Sequence, residues 1–243
     1  MKQLHDQVAI VTGGGSGIGK GIAQAFVNEG CSVVIASRNA ARLHAAAEEL
    51  RRSGSEIVAL PTDVTDEAQV QALFQQTMDR FGRLDILVNS AGAFDGGPID
   101  EIPLAAWNNV IGANLTGPFL CIREAFAIMK KAGGGRILNI GSISAQRTRE
   151  NMAPYTASKF GIWGLTQAAA LEGRPYGIAV SCLHPGNTAV ERRTGSGKET
   201  DQEPMISAPE IARVALLMAT LPPEANMLEA IVLPVAQLYI GRG

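Results

Sequence analysis

Cysteine, histidine and aromatic residues are all scarce in this chain, and neither sign of charge prevails. Its 243 residues include three cysteines, Cys31, Cys121 and Cys182, and three histidines, His5, His44 and His184, all scattered. Isolated cysteines exclude a disulfide framework, and neither residue type recurs at metal-ligand spacing, so disulfide scaffolds and zinc enzymes are excluded and no metal is expected. Lys plus Arg number 21 against 23 for Asp plus Glu. With no basic block to neutralise phosphates, nucleic acid is not expected as a partner. Apolar runs such as Val8 to Val11 and Val214 to Met218 stop far short of the roughly 18 residues of a membrane span. Met1 to Asp6 lacks the apolar region of a signal peptide. The expectation is a cytoplasmic protein with no membrane partner.

What the chain does have is rhythm. Short apolar runs at Val8 to Val11, Val33 to Ile35, Ile57 to Leu60, Leu84 to Val88, Ile137 to Ile140, Ile178 to Val180 and Ala230 to Leu233 alternate with longer amphipathic stretches. Runs that are apolar throughout mark strands covered on both faces, which means a parallel sheet between two layers of helices. The fold class is therefore α/β, a doubly wound Rossmann arrangement of seven parallel strands with helices on both faces. Helices are expected near 17–29, 40–53, 66–80, 103–130 with a break, 154–173 and 208–220. One domain over residues 1–243 is expected, with a flap around 188–206 whose centre, Glu191 to Glu203, is polar and poorly periodic. The helix from Ser158 to Glu172 is apolar on nearly its whole circumference, so one face can meet the sheet while the other needs a partner.

The first strand runs into Thr12-Gly13-Gly14-Gly15-Ser16-Gly17-Ile18-Gly19. Such a turn lets the backbone approach a pyrophosphate, whose charge is met by the unpaired N–H groups opening the next helix. The strand before and the helix after make this a dinucleotide site, with Gly13, Gly15, Ser16, Gly17, Ile18 and Gly19 as its residues. At the end of the second strand stands Arg38, preceded by Ser37 where an NAD enzyme usually carries an acidic residue. A guanidinium fork suits a ribose 2'-phosphate, so NADP(H) is favoured, with NAD(H) as the alternative. Ser142 precedes Tyr155 by 13 positions, and Tyr155 and Lys159 stand at i and i+4 on one helical face. The serine closes a strand at the carboxyl edge of the sheet, where ligands bind in such folds.

On these motifs the chain resembles the short-chain dehydrogenase/reductase family over essentially its whole length. The resemblance extends to Asp63-Val64, Asn89-Ser90-Ala91-Gly92, Asn114-Leu115-Thr116-Gly117 and Pro185-Gly186. It implies a catalytic tetrad of Asn114, Ser142, Tyr155 and Lys159. It further implies cofactor contacts at Asp63 and Val64 for the adenine, at Asn89, Ala91 and Gly92, at Tyr155 and Lys159, and at Pro185 and Gly186. Val190 stands where the family usually places a threonine for the nicotinamide carboxamide, and Thr188 is the nearest substitute. A homotetramer is the family's common assembly.

The resulting expectation is an NADP-dependent oxidoreductase, a carbonyl reductase or alcohol dehydrogenase, acting on a small-molecule carbonyl or alcohol. Tyr155 would exchange the proton, its anion stabilised by Lys159. Ser142 would hold the substrate oxygen, and Asn114 a water linking Lys159 to solvent. Ala93, Phe94, Ser144, Gln146 and Met152 are the expected substrate contacts. An enoyl-thioester reductase of the same family is the alternative, and an idle dinucleotide-binding sensor the more distant one. Arg147, Arg149, Arg192 and Arg193 fall in segments expected at the cleft mouth, where an anionic carrier is the special reading and solvated arginines the ordinary one.

Overall fold

The computed structural model describes residues 2–51, 55–191, 193 and 203–238. Its strands are β1 (Val8–Thr12), β2 (Ser32–Ser37), β3 (Ile57–Pro61), β4 (Ile86–Asn89), β5 (Gly135–Ile140), β6 (Ile178–Pro185), β7 (Thr188–Ala189), β8 (Ile206–Ser207) and β9 (Glu229–Val232). Seven of them form one sheet in the order β3-β2-β1-β4-β5-β6-β9, every pairing parallel. The seven apolar runs are these seven strands. Their continuity has a direct cause in the packing. Ala9 and Val11 of β1, with Val33 and Ile35 of β2, enter one buried cluster, while Ile10, Val34 and Ala36 enter another on the opposite face. A polar residue at either parity would forfeit about 1.5–3 kcal/mol of side-chain burial.

Helices α1 (Gly17–Asn28), α2 (Ala40–Arg51) and α7 (Ala208–Thr220) cover the first face through residues such as Phe26, Leu43 and Met218. Between α2 and α7 in sequence come α3 (Glu67–Phe81), α4 (Leu104–Ile111), α5 (Gly117–Ala132) and α6 (Ala153–Gly173). Phe74 of α3, Phe126 of α5 and Ala169 of α6 cover the second face. Chain progression reverses between β1 and its neighbours β2 and β4, which opens a crevice above the carboxyl ends of the strands.

Several boundaries differ from expectation, most of all that of β6, which runs on to Pro185 where Ile178 to Val180 is expected. The fourth strand begins at Ile86 instead of Leu84, because Asp85 turns its carboxylate onto the Val8 amide at 2.8 Å and onto Arg83. The last strand is Glu229–Val232, ending short of Leu233-Pro234, since proline offers no N–H to a ladder. The break expected inside 103–130 is a π turn over Gly112–Thr116, with continuous helix on either side. Of the expected flap, residues 192 and 194–202 lie outside the described residues. Its ends are joined by a short parallel pairing of β7 with β8.

Candidate active site

The glycine turn and the loop after β4 meet directly above the switch point. Gly13 has a φ of +70°, and a Cβ there would come within 2.8 Å of the Ser90 and Ala91 backbone, so only glycine lets the two loops touch. Thr12 fastens the contact: its Oγ1 accepts from the Ser90 and Ala91 amides at 3.1 and 3.2 Å. Ser16 is the N-cap of α1 in extended conformation, yet its side chain caps no amide. The opening N–H groups of α1 thus face the crevice without a capping side chain, the requirement for an anion seat. A carboxylate takes that place in this structure. Glu191, just beyond β7, accepts from the Gly17 amide at 3.0 Å.

Arg38 lies exposed at the carboxyl end of β2, and among the described residues no carboxylate forms an ion pair with it. A Cβ on Gly15 would meet Ser37 Oγ at 3.1 Å, which brings the end of β2 against the glycine turn. Asp63, beyond β3, holds the Thr65 amide at 2.9 Å and the Thr65 hydroxyl at 2.8 Å, a turn that buries Val64. Asn89 donates to Asn139 at 2.9 Å across the β4–β5 pairing, and Asn139 donates to Thr166 of α6 at 2.9 Å. The line of amides ties the centre of the sheet to the helix that carries Tyr155.

Tyr155 and Lys159 stand one turn apart at the start of α6. The buried Lys159 ammonium donates to the Ile140 carbonyl at 2.8 Å and lies 5.5 Å from the centre of the Tyr155 ring. The Tyr155 ring also meets the Phe94 ring, tilted at 55° with centroids 5.0 Å apart. Ser142 lies just past β5, where it caps a 3-10 turn over Ile143–Ala145; its Oγ accepts from the Ser144 amide at 3.1 Å. That leaves the hydroxyl proton free to be donated. Ser144 itself is buried.

Asn114 sits in the π turn, and both of its side-chain amide protons are taken. It exchanges two hydrogen bonds with the Ala93 peptide, at 2.7 and 3.0 Å, and donates its second amide proton to Ser158 at 3.0 Å. Ser158 passes the link on, donating to the Tyr155 carbonyl at 2.7 Å. Residue 158 was not expected in the site. Its signal is its place one turn after Tyr155, where a short hydroxyl can reach back to the carbonyl of i−3.

Gln146 spends its amide on Glu229 at 2.7 Å, and Met152 is the N-cap of α6. Pro185 closes β6, the Gly186 amide donates to Val232 at 2.7 Å, and the buried Thr188 hydroxyl donates to the Gly186 carbonyl at 3.1 Å. Arg149 pairs with Glu203 at 2.7 Å, Asn187 donates to the same carboxylate at 2.6 Å, and Arg193 donates to Asn187 at 3.0 Å. These partners engage Arg149 and Arg193 within the chain, against a seat for an anionic carrier; Arg192 lies outside the described residues. Cys182 is near Lys159, but burial pushes its thiol up to about 12, so no thiolate nucleophile is present at neutral pH. Among the described residues no cluster of His, Cys, Asp or Glu could hold a metal ion, and no helix is long and apolar enough to cross a membrane.

Comparison with known proteins agrees with this architecture. The short chain dehydrogenase family model matches residues 7–201. The chain is 42% identical over 183 residues, 75% of its length and 71% of the relative's, to the uncharacterized oxidoreductase YxjF of Bacillus subtilis. A metagenomic short-chain oxidoreductase solved in complex with NADP superposes with a TM-score of 0.85 at 33% identity, covering 97% of this chain and 100% of that one. An alcohol dehydrogenase from the archaeon Thermococcus sibiricus, complexed with 5-hydroxy-NADP, superposes with a TM-score of 0.87 at 25% identity over 95% and 97% of the two chains. The chain belongs to the short-chain dehydrogenase/reductase family, oxidoreductases that bind a nicotinamide cofactor.

Proposed function

We propose that the protein is an NADP(H)-dependent oxidoreductase, one dinucleotide-binding domain that interconverts a small-molecule carbonyl and the corresponding alcohol. The observation that carries the reading is the Lys159 ammonium held 5.5 Å from the Tyr155 ring and fastened to the Ile140 carbonyl, two residues before Ser142. The spacing of one helical turn sets the Tyr155 hydroxyl and the Lys159 ammonium on one face, toward a common substrate. Tyr155 then gives its proton to the substrate oxygen during reduction and takes it back during oxidation. Ser142 donates a hydrogen bond to that oxygen, its own oxygen already committed to the Ser144 amide. The bound nicotinamide supplies or receives the hydride. Asn114, whose side-chain protons are already taken, would offer only an acceptor oxygen to a water that links Lys159 to solvent.

The residues of this chain fit the cofactor. The start of α1, which Ser16 leaves to an anion from elsewhere, and the Gly13 to Gly19 turn suit its pyrophosphate, and Lys159 suits the nicotinamide ribose. Asp63 and Val64 would hold the adenine, Asn89, Ala91 and Gly92 would back the cofactor loop, and Pro185, Gly186 and Thr188 would contact the nicotinamide. An exposed Arg38 after Ser37 favours a 2'-phosphate, and the superposing metagenomic oxidoreductase was solved with NADP. Ala93, Phe94, Gln146 and Met152 border the substrate, with Ser144 beneath them.

A homotetramer completes the proposal. Leu104, Phe119, Phe160 and Leu171 of α4, α5 and α6 are 72%, 46%, 49% and 62% exposed, an outer apolar face that the sheet leaves uncovered. The test of function is a panel of ketones, aldehydes and alcohols followed by the absorbance of the reduced nicotinamide, with NADP(H) and NAD(H) in parallel. Turnover of carbonyls or alcohols, faster with NADP(H), supports the reading. Turnover of enoyl thioesters alone contradicts it.

A further inference from the structure

Behind Ser142 lies a buried polar chain that the hydride-transfer reading leaves unused. His184 of β6 has no exposed surface. Its ring packs edge-on to Trp163 and so close to Gly141 that a Cβ there would come 2.5 Å from Nδ1. Nδ1 faces both backbone groups of Ser142, 3.2 Å from the amide nitrogen and 2.9 Å from the carbonyl oxygen. An imidazole nitrogen serves only one of them. Protonated it donates to the carbonyl; bare it accepts from the N–H. Burial, aided by Lys159, holds the imidazolium pKa below its ordinary value against the opposing pull of the Ser142 backbone and Glu229, so the ring is neutral and has one proton to place.

The other nitrogen decides where that proton goes. Nε2 is buried and makes no hydrogen bond among the described residues; the polar group it faces is the Glu229 carboxylate, with Oε1 3.4 Å away. A carboxylate can only accept. A proton on Nε2 meets an acceptor, whereas a bare Nε2 sets a lone pair against an anion in a buried place, where unpaired polar atoms are costly.

We propose that Glu229 fixes the Nε2–H tautomer of His184, so that Nδ1 accepts from the Ser142 amide and holds the Ser142 loop in its productive position. Glu229 grips the far end of the same loop as well, accepting from Gln146 at 2.7 Å. It opens β9, opposite Cys182 of β6, so the last strand of the sheet acts as a brace for the loop. Glu229 and His184 touch no reacting group; both are positioning residues, and their kinetic role rests on the proposed role of Ser142.

The test is the nitrogen spectrum of protein labelled with 15N-histidine, in which only three side chains report and His184→Asn assigns the buried one. The wild type should carry its proton on Nε2. Glu229→Gln retains a carbonyl acceptor and should keep that tautomer, whereas Glu229→Leu should move the proton to Nδ1, facing the Ser142 carbonyl. In the same variants kcat should fall roughly ten-fold for Glu229→Leu, part of the hundred-fold that a 1 Å misplacement can cost, and stay near wild type for Glu229→Gln, with dinucleotide affinity unchanged in both. A proton on Nδ1 in the wild type overturns the proposal, and that spectrum needs no variant to fold. Persistence of the Nε2–H tautomer in Glu229→Leu also overturns it. Full activity in Ser142→Ala would instead overturn the role given to Ser142, and the kinetic half of the proposal with it, while the spectra judge the tautomer separately.

Discussion

The carboxylate of Glu191 accepts a 3.0 Å hydrogen bond from the amide of Gly17, the first residue of α1. The chain thereby places its own anion where the family's fold receives the cofactor pyrophosphate. With the pyrophosphate at the proposed seat, binding of the dinucleotide would displace this contact. Glu191→Gln should therefore tighten NADPH binding by roughly two- to five-fold, equivalent to the 0.3–1 kcal/mol of an anion at a helix N-terminus. Fluorescence titration of free enzyme checks it, and an unchanged or weakened affinity contradicts it.

Arg38→Ala should raise the dissociation constant for NADPH far more than that for NADH. Arg38 is exposed at the end of β2, next to Ser37, whose hydroxyl a Cβ on Gly15 of the glycine turn would meet at 3.1 Å. Calorimetric titration with both cofactors measures the two changes side by side. Equal weakening of both would remove the case for a 2'-phosphate contact.

Arg136 presents a stability prediction independent of function. Its guanidinium donates to the carbonyls of Met218, Leu221, Pro222 and Ala225, closing the carboxyl end of α7. It does so with no acidic partner among the described residues, and partial burial lowers its pKa. Hydrogen bonds to a charged group contribute about 1.5–3 kcal/mol. Arg136→Ala should lower Tm by roughly 3–12 °C in a chain of this size, read by calorimetry; a shift below about one degree would contradict the clamp.

The three cysteines set a pH dependence at the alkaline end. Burial pushes Cys31, Cys121 and Cys182 up from 9.0 to about 12. The folded state thus keeps protons that the unfolded chain releases above pH 9, so stability from these groups is complete below that pH and is lost as pH rises from 9 toward 12. Urea melts across this range should show falling stability, and replacing the cysteines by alanine should flatten the slope. A slope unchanged by the replacement would contradict the assignment.

Strands were the most legible part of the sequence, because burial on both faces demands runs without polar interruptions, as in Val8 to Val11. The pairing of Tyr155 with Lys159 was legible for a similar reason: helical spacing fixes which side chains share a face. Long-range partners were not. Glu191 and Gly17 are 174 positions apart, and the contact of Glu229 with His184 depends on the β6–β9 register. The break in 103–130 was visible as an interruption, but its form as a π turn follows from Asn114 bonding Ala93 and Ser158. That form depends on tertiary partners that no local pattern encodes.

Turnover by Tyr155→Phe, measured together with its NADPH dissociation constant, tests the central claim most directly. The substitution removes one hydroxyl and leaves the ring against Phe94. Loss of the proton-transferring group should lower kcat by roughly 10²–10⁴-fold, with cofactor affinity nearly unchanged, whereas Lys159→Ala should impair both. A Tyr155→Phe enzyme that binds NADPH normally and still reduces its carbonyl substrate at a rate near wild type would contradict the account.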